Sequence, residues 1–205
     1  LVGTVLGLIQ TDIKRILAYS SIAHAGFILI GVTAYSQAAI TSVVFYLLAY
    51  GLATVGAFGI VTLVREKDKD GNILGEATAI SRWQGLGKTN PLLAGCMLIF
   101  LLSFAGIPLT SGFIGKFLVF RAGVAAGNAV LVVLAVLASA ATAFFYFRLI
   151  VLMFFREPEG DNTAVIASEG FSIVAIVATA VITIVLGVFP GPILDFVTNT
   201  LVFML

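Results

Sequence analysis

From Ile16 to Val64 the chain runs for 49 residues without an Asp, Glu, Lys or Arg. The hydrocarbon core of a bilayer is about 30 Å thick and takes about 20 helical residues to cross, so this run holds two crossings. The triplet Tyr35-Ser36-Gln37 is the place for the turn between them. Residues 89–115, 122–147, 170–194 and the short 1–11 carry no charge either. Charged residues make up 10% of the 205 in the chain, against roughly a quarter in soluble domains. The solvent this sequence is suited to is lipid.

The sequence is therefore read as an all-α, polytopic transmembrane helix bundle. Its expected segments are the tail of one helix (1–11), then helices over 15–34, 38–64, 90–121, 125–155 and 170–189. Pro190-Gly191-Pro192 turns the chain, and the apolar segment 193–205, with one acid at Asp195, is too short to cross. It is expected at the interface or against a neighbouring subunit. The chain opens on Leu1 with an apolar run lacking the basic flank and cleavage site of a signal peptide, so further residues are expected upstream.

Lys and Arg accumulate in short cytoplasmic loops. Lys14, Arg15, Arg65, Lys67, Lys69, Arg82, Lys88 and Arg156 gather at one end of the helices, with Arg148 near it, whereas Arg121 stands alone at the other. Segments 12–15, 65–89 and 156–169 are thus expected on the cytoplasmic (or matrix or stromal) face, with the C-terminus outside. The stretch from Arg65 is expected to be a solvated connection ending in a short surface helix.

A net charge of +1 offers nothing to nucleic acid, and the one cysteine, Cys96, lies in an apolar run and suits packing. No phosphate loop, CxxC pair, histidine pair at ligand spacing or nucleophile motif occurs. Haem, iron–sulfur and nucleotide sites are not expected in this chain, and any redox chemistry must happen elsewhere.

Lys116 is the residue this reading singles out. It lies in AGIPLTSGFIGKFLVF (105–120), and no acid occurs between Glu76 and Glu157 to pair with it in sequence. A lysine at mid-membrane costs roughly 2.5–3.5 kcal/mol on insertion scales, so it normally faces a bundle interior or hydrated cavity and serves an ion pathway. Desolvation disfavours the charged form of a buried amine, which lets it exchange a proton as a relay must. The alternative is snorkelling toward the end of the helix at Arg121.

Pro108 in the same segment lacks a backbone donor, and its ring clashes with the carbonyl four residues back, that of Phe104. The helix should break there, and Gly112 and Gly115 loosen the next turn. Unwound backbone at membrane depth is tolerated only where protein or water satisfies it, and discontinuous helices mark ion sites in transporters. A kink serving packing alone is the other reading.

Tyr46, Tyr50 and Thr54 recur every four residues and share a helix face. Their hydroxyls can order a file of water, or they can simply bond neighbouring helices. His24 lies ten residues past Lys14, about 15 Å deep at 1.5 Å per residue and so near the bilayer centre. It suits proton exchange near neutral pH, and equally suits the role of a hydrogen-bonded core residue.

Taken together, QTDIKRILAYSSIAHAGF (10–27) and AGIPLTSGFIGKF (105–117) resemble, in order and spacing, the antiporter-like subunits of complex I and the Mrp-type cation/proton antiporters. The resemblance covers essentially the whole chain. It places Lys116 at the family's central proton-carrying position, in a broken helix. Within the family, Tyr46, Tyr50 and Thr54 stand in FYLLAYGLATVGAFG (45–59) where other branches carry histidines and a lysine, and the ending LGVFPGPILDF fits as well. Both features look like the N-type branch.

The resemblance implies a fold of inverted five-helix repeats. Residues 1–155 would be most of the second repeat, and 156–205 a cytoplasmic loop, the last transmembrane helix and an interfacial segment. The implied function is proton translocation coupled to electron transfer from NADH to quinone, with charge running through Lys116 toward His24 and Tyr50. Asp12 and Lys14 match motif positions where helix-end anchoring and proton entry are both open. No cofactor is implied in this chain; FMN and iron–sulfur clusters would lie in other subunits. The implied partners are L- and M-type antiporter-like subunits, small membrane subunits and the bilayer, in a bacterial plasma membrane or, alternatively, a mitochondrial inner or thylakoid membrane. An Mrp-type sodium/proton antiporter and a structural membrane-arm scaffold are the competing functions. The first repeat is absent from this sequence, so a complete pathway cannot be traced within it.

The charge asymmetry makes a topological prediction. In the full-length protein, a cysteine at Asp70 should react with an impermeant thiol reagent only from the basic side, and one at Asn128 only from the other. Labelling of the Asp70 position from outside would overturn the assignment.

Overall fold

The computed structural model describes residues 1–68, 70–157, 163–165 and 170–201. The chain begins with α1 (Val2–Leu8), α2 (Ile13–Thr33) and α3 (Gln37–Leu63). A connection follows with β1 (Val64–Lys67), β2 (Ile73–Glu76), a 3-10 turn over Ile80–Trp83 and the one-turn α4 (Leu86–Thr89). Next come α5 (Pro91–Ala105), α6 (Ser111–Ala125), α7 (Ala129–Phe155), β3 (Thr163–Val165), α8 (Gly170–Val188) and α9 (Gly191–Leu201).

Local chemistry sets these boundaries. Asp12 caps α2 by accepting from the Arg15 amide at 3.0 Å, Ser36 caps α3 through Ala39 at 3.2 Å, and Asn90 caps α5 through Leu93 at 3.1 Å. Pro91 opens α5, where its missing donor is no loss. At the far end Gly106 turns left-handed (φ +81°), and the amides of Gly106 and Ile107 fold back onto the Leu102 carbonyl.

Among the described residues four helices, α2, α3, α7 and α8, are long and apolar enough to cross a membrane. Helices α5 and α6 have 15 residues each, about 22 Å at 1.5 Å per residue, and neither crosses alone. Both pack along α3, so the pair makes one interrupted crossing. The second half extends past the expected end at Arg121 to Ala125.

The connection after α3 differs from expectation. In place of a simple solvated stretch, β1 pairs antiparallel with β2 on one side and β3 on the other. The loop before α2 joins this small sheet: Ile13 N donates to Thr78 O at 2.7 Å, Ile80 N donates to Thr11 O at 2.9 Å, and Lys14 pairs with Glu76. The end of α7 joins too, through Gly85 N to Leu152 O at 3.2 Å and Lys88 to Glu157 at 2.5 Å. The three connections expected on the basic face thus meet at one end. The short helix expected there is α4. Residues 158–162 and 166–169 of the expected loop lie outside the described residues, as do the last four, 202–205.

At the opposite end Asn128 donates to the Thr33 hydroxyl at 3.4 Å, and Thr41 and Thr198 lie 3.3 Å apart. The final segment, as α9, packs against α3 of its own chain.

Among the described residues three apolar clusters fill the bundle. Of the two larger, one includes Trp83, Phe100, Phe104, Phe145 and Tyr146 and the other is built on Phe27, Tyr46, Val119 and Val132; the smallest is Phe45, Ala49 and Leu186. Close helix contact at the break needs missing side chains. A Cβ on Gly112 would lie 2.0 Å from the Ser103 carbonyl oxygen, and one on Gly187 of α8 would lie 2.4 Å from that of Leu109. Leu109 holds φ +72°, a conformation costing a branched residue about 1–2 kcal/mol.

Gly112→Ala should therefore force the two half-helices apart. The expected loss is about 1–3 kcal/mol, read as a lower thermal-inactivation temperature of the assembled full-length protein. Gly26→Ala, where an added Cβ meets nothing within 4 Å, is the control and should change little.

Candidate functional site

Helical side chains lean toward the N-terminus of their own helix. For Lys116 on α6 that direction leads back to the break. Its Nζ donates to Phe104 O at 2.7 Å, to Ala105 O at 3.3 Å and to Ser139 Oγ at 2.8 Å. Phe104 is the residue whose carbonyl Pro108 disconnects from the helix ladder, so the break produces the acceptor that the lysine uses. The side chain is 5% exposed and turned away from Arg121, which rules out snorkelling toward that end. Phe27 closes the remaining side, its ring centroid 5.2 Å from Nζ.

An ammonium has three protons and no acceptor. Three oxygens receive them here, all from neutral groups. Of these only the Ser139 hydroxyl can also donate, so it alone among them can serve both the ammonium and the free amine.

A second polar group lies beside the first. His24 is 1% exposed and uses both ring nitrogens: Nδ1 lies 2.9 Å from Tyr46 OH, and Nε2 lies 3.2 Å from Tyr146 OH. Tyr146 OH also bonds Ser20 Oγ. The imidazole stacks on Tyr50 with centroids 4.2 Å apart and meets Phe27 and Phe104 edge-on. His24 therefore sits on the seam between the two larger apolar clusters. Tyr46 can reach α2 because Gly115 has no side chain; a Cβ there would lie 2.9 Å from the Tyr46 ring.

The expected site residues are thus brought together, but not in the expected order. Direct partners of His24 are Tyr46 and Tyr146, whereas Tyr50 gives its hydroxyl to Ser21 at 2.8 Å and contributes a ring face. Thr54 donates to the Tyr50 carbonyl on its own helix at 2.7 Å, the structural use of a membrane threonine. Asp12 and Lys14 act as helix cap and ion-pair partner, the anchoring alternative. No hydrogen bond links Lys116 to His24 among the described residues.

Sequence reasoning missed Ser139 and Tyr146. Both lie on α7, and with Thr142 they fall at i, i+3 and i+7, one face of a helix. That stripe of hydroxyls in an otherwise apolar run was the available signal. Among the described residues no group of three His, Cys, Asp or Glu could hold a metal ion.

Residues 1–142 match the family described as NADH:quinone oxidoreductase/Mrp antiporter, transmembrane. A protein of Beutenbergia cavernae named NADH-quinone oxidoreductase subunit N is 56% identical over 207 residues, covering 99% of this chain and 39% of its own length. The chain spans little more than a third of the curated relatives it matches. Among solved structures, a chain of respiratory complex I from Thermus thermophilus aligns with a TM-score of 0.81 and 35% identity, over 95% of this chain and 42% of that one. A chain of the Mrp complex from a Dietzia species aligns at 0.77 with 22% identity, over 97% and 44%, a likeness of fold alone.

Tyr146→Phe removes one hydroxyl that meets both Ser20 and His24. It should cost about 1–3 kcal/mol, since it leaves buried polar atoms short of a partner, read as earlier thermal inactivation. Thr54→Val should cost less, its hydroxyl serving only its own helix.

Proposed function

Because the chain belongs to the NADH:quinone oxidoreductase/Mrp antiporter transmembrane family, we propose that it forms part of a proton-translocating membrane-arm subunit, of the subunit N type, of an NADH-quinone oxidoreductase. The intact subunit moves protons across a bacterial plasma membrane while electrons pass from NADH to quinone in other subunits. FMN and iron–sulfur clusters belong to those subunits. L- and M-type antiporter-like subunits, small membrane subunits and lipid are its neighbours. Residues 1–155 supply most of the second inverted repeat, and 156–205 supply a cytoplasmic loop, the last crossing and the terminal helix.

The observation that carries this reading is Lys116. A lysine buried at a helix break, held among the described residues by three neutral oxygens and no carboxylate, is a group that can change its charge without breaking an ion pair. Ser139 accepts from the ammonium and donates to the amine. His24, with Tyr46 and Tyr146, provides the next hydrogen-bonded row, and Tyr50 walls it. The hydration of the full-length protein would bridge the gap between lysine and row. Support for the respiratory reading over an Mrp-type antiporter comes from identity above 50% to proteins named subunit N, against 22% to the Mrp chain.

Lys116→Ala in the full-length, assembled complex should abolish pumping through this subunit, slowing the proton step by about a hundredfold or more. Flavin-site reduction of artificial acceptors should stay intact. Lys116→Arg is the sharper variant: it keeps a charge in place, but a guanidinium cannot readily release its proton. Protons pumped per electron should fall in Lys116→Arg. A wild-type ratio at a wild-type rate would return Lys116 to a structural role and favour the scaffold reading. Flavin and iron–sulfur absorbance co-purifying with the full-length chain is expected; its absence would favour the antiporter.

A further inference from the structure

At the end opposite the small sheet, α3, α6 and α9 leave a cleft of about 510 Å³ between them. Arg121, the one basic residue at that end among the described residues, lines it. Among the described residues nothing pairs with its guanidinium. The Gln37 side chain at the start of α3 lines the cleft and is likewise free of partners there. Next to it, Tyr35 is 94% exposed, a position matching the aromatic residues that sit at headgroup level.

Deeper in, the wall is effectively apolar. Thr41 and Thr198 bond each other at 3.3 Å, and Ser42 donates to the Ala39 carbonyl at 2.7 Å, so these hydroxyls are engaged. Leu118 and Leu194 present methyl groups beside them. From Ser36 to Thr41 the helix advances about 7.5 Å, further than an inorganic anion at the mouth would fill. The cleft thus has cationic and amide donors at its mouth and an apolar depth.

We propose that this cleft binds an anionic membrane phospholipid, its phosphate held by Arg121 and Gln37 and an acyl chain lying along Leu118 and Leu194. A guanidinium grips a phosphate through two parallel hydrogen bonds, and among the described residues no carboxylate, Asp195 of α9 included, pairs with Arg121. The site uses none of the residues placed in the proton-transfer row.

Native mass spectrometry of the full-length protein in its assembled complex, delipidated and then titrated with phosphatidylglycerol, tests this. Wild type should retain lipid that Arg121→Gln loses. Thr41→Trp, which fills the apolar depth and leaves the guanidinium in place, should lose the same lipid. Equal retention in Arg121→Gln would overturn the proposal. So would binding of inorganic phosphate as tight as that of the lipid, or an acidic side chain elsewhere in the complete protein paired with Arg121.

Discussion

An ammonium can remain inside an apolar bundle only where each of its protons meets an oxygen. Lys116 finds those oxygens because α5 stops at Ala105 and α6 starts at Ser111. An unbroken helix would commit the Phe104 and Ala105 carbonyls to its own ladder, and the lysine would keep only Ser139 of its three acceptors. Pro108, the left-handed Gly106 and the side-chain-free Gly112 all serve that single arrangement. The packing of α3, α7 and α8 around the two half-helices buries the lysine, while Pro108 and Leu109 of the break itself stay exposed.

The rest of the bundle can be understood as support for two neighbouring polar groups, Lys116 at the break and His24 on a seam. Tyr50 packs against the apolar clusters on both sides of the seam. Phe104 and Tyr146 belong to one, Phe27 and Tyr46 to the other, and His24 touches all four. Rigid aromatic walls hold the imidazole, so its hydrogen-bond partners are fixed by packing and not by loops. The loops do other work: at the basic end they join the ends of α2, α3 and α7 into one capped unit through the small sheet and its ion pairs.

Much of this was legible in the residues. Charge-free runs located the crossings, Tyr35-Ser36-Gln37 marked the turn between the first two, and Pro108 identified both the break and the carbonyl it frees. These are local rules, acting over a few residues. The sheet was not legible, because its strands are three or four residues long and β1 meets a partner about a hundred positions away. Tyr146 and Ser139 escaped for a related reason. Each acts on a residue of another helix, 122 positions from His24 and 23 from Lys116, and within α7 they look like ordinary polar breaks in an apolar helix. Tyr50 was placed on the correct face, but spacing could not say that its ring and not its hydroxyl would meet the histidine.

The two-sided bonding of His24 gives the tyrosine row a sense of direction. In a neutral imidazole one ring nitrogen gives a hydrogen and the other receives one, so Tyr46 and Tyr146 cannot play the same part at the same time. Each tautomer points the whole row one way. Handing a proton from one tyrosine to the other through the ring would leave the ring in the opposite tautomer, with every hydroxyl reversed. Before a second proton could follow in the same direction, the hydroxyls would have to swing round and the ring recover its first form. A row used in this way would be a turnstile that must be rewound, and its rewinding would set a tempo of its own, separate from the proposed arrival of charge at the lysine.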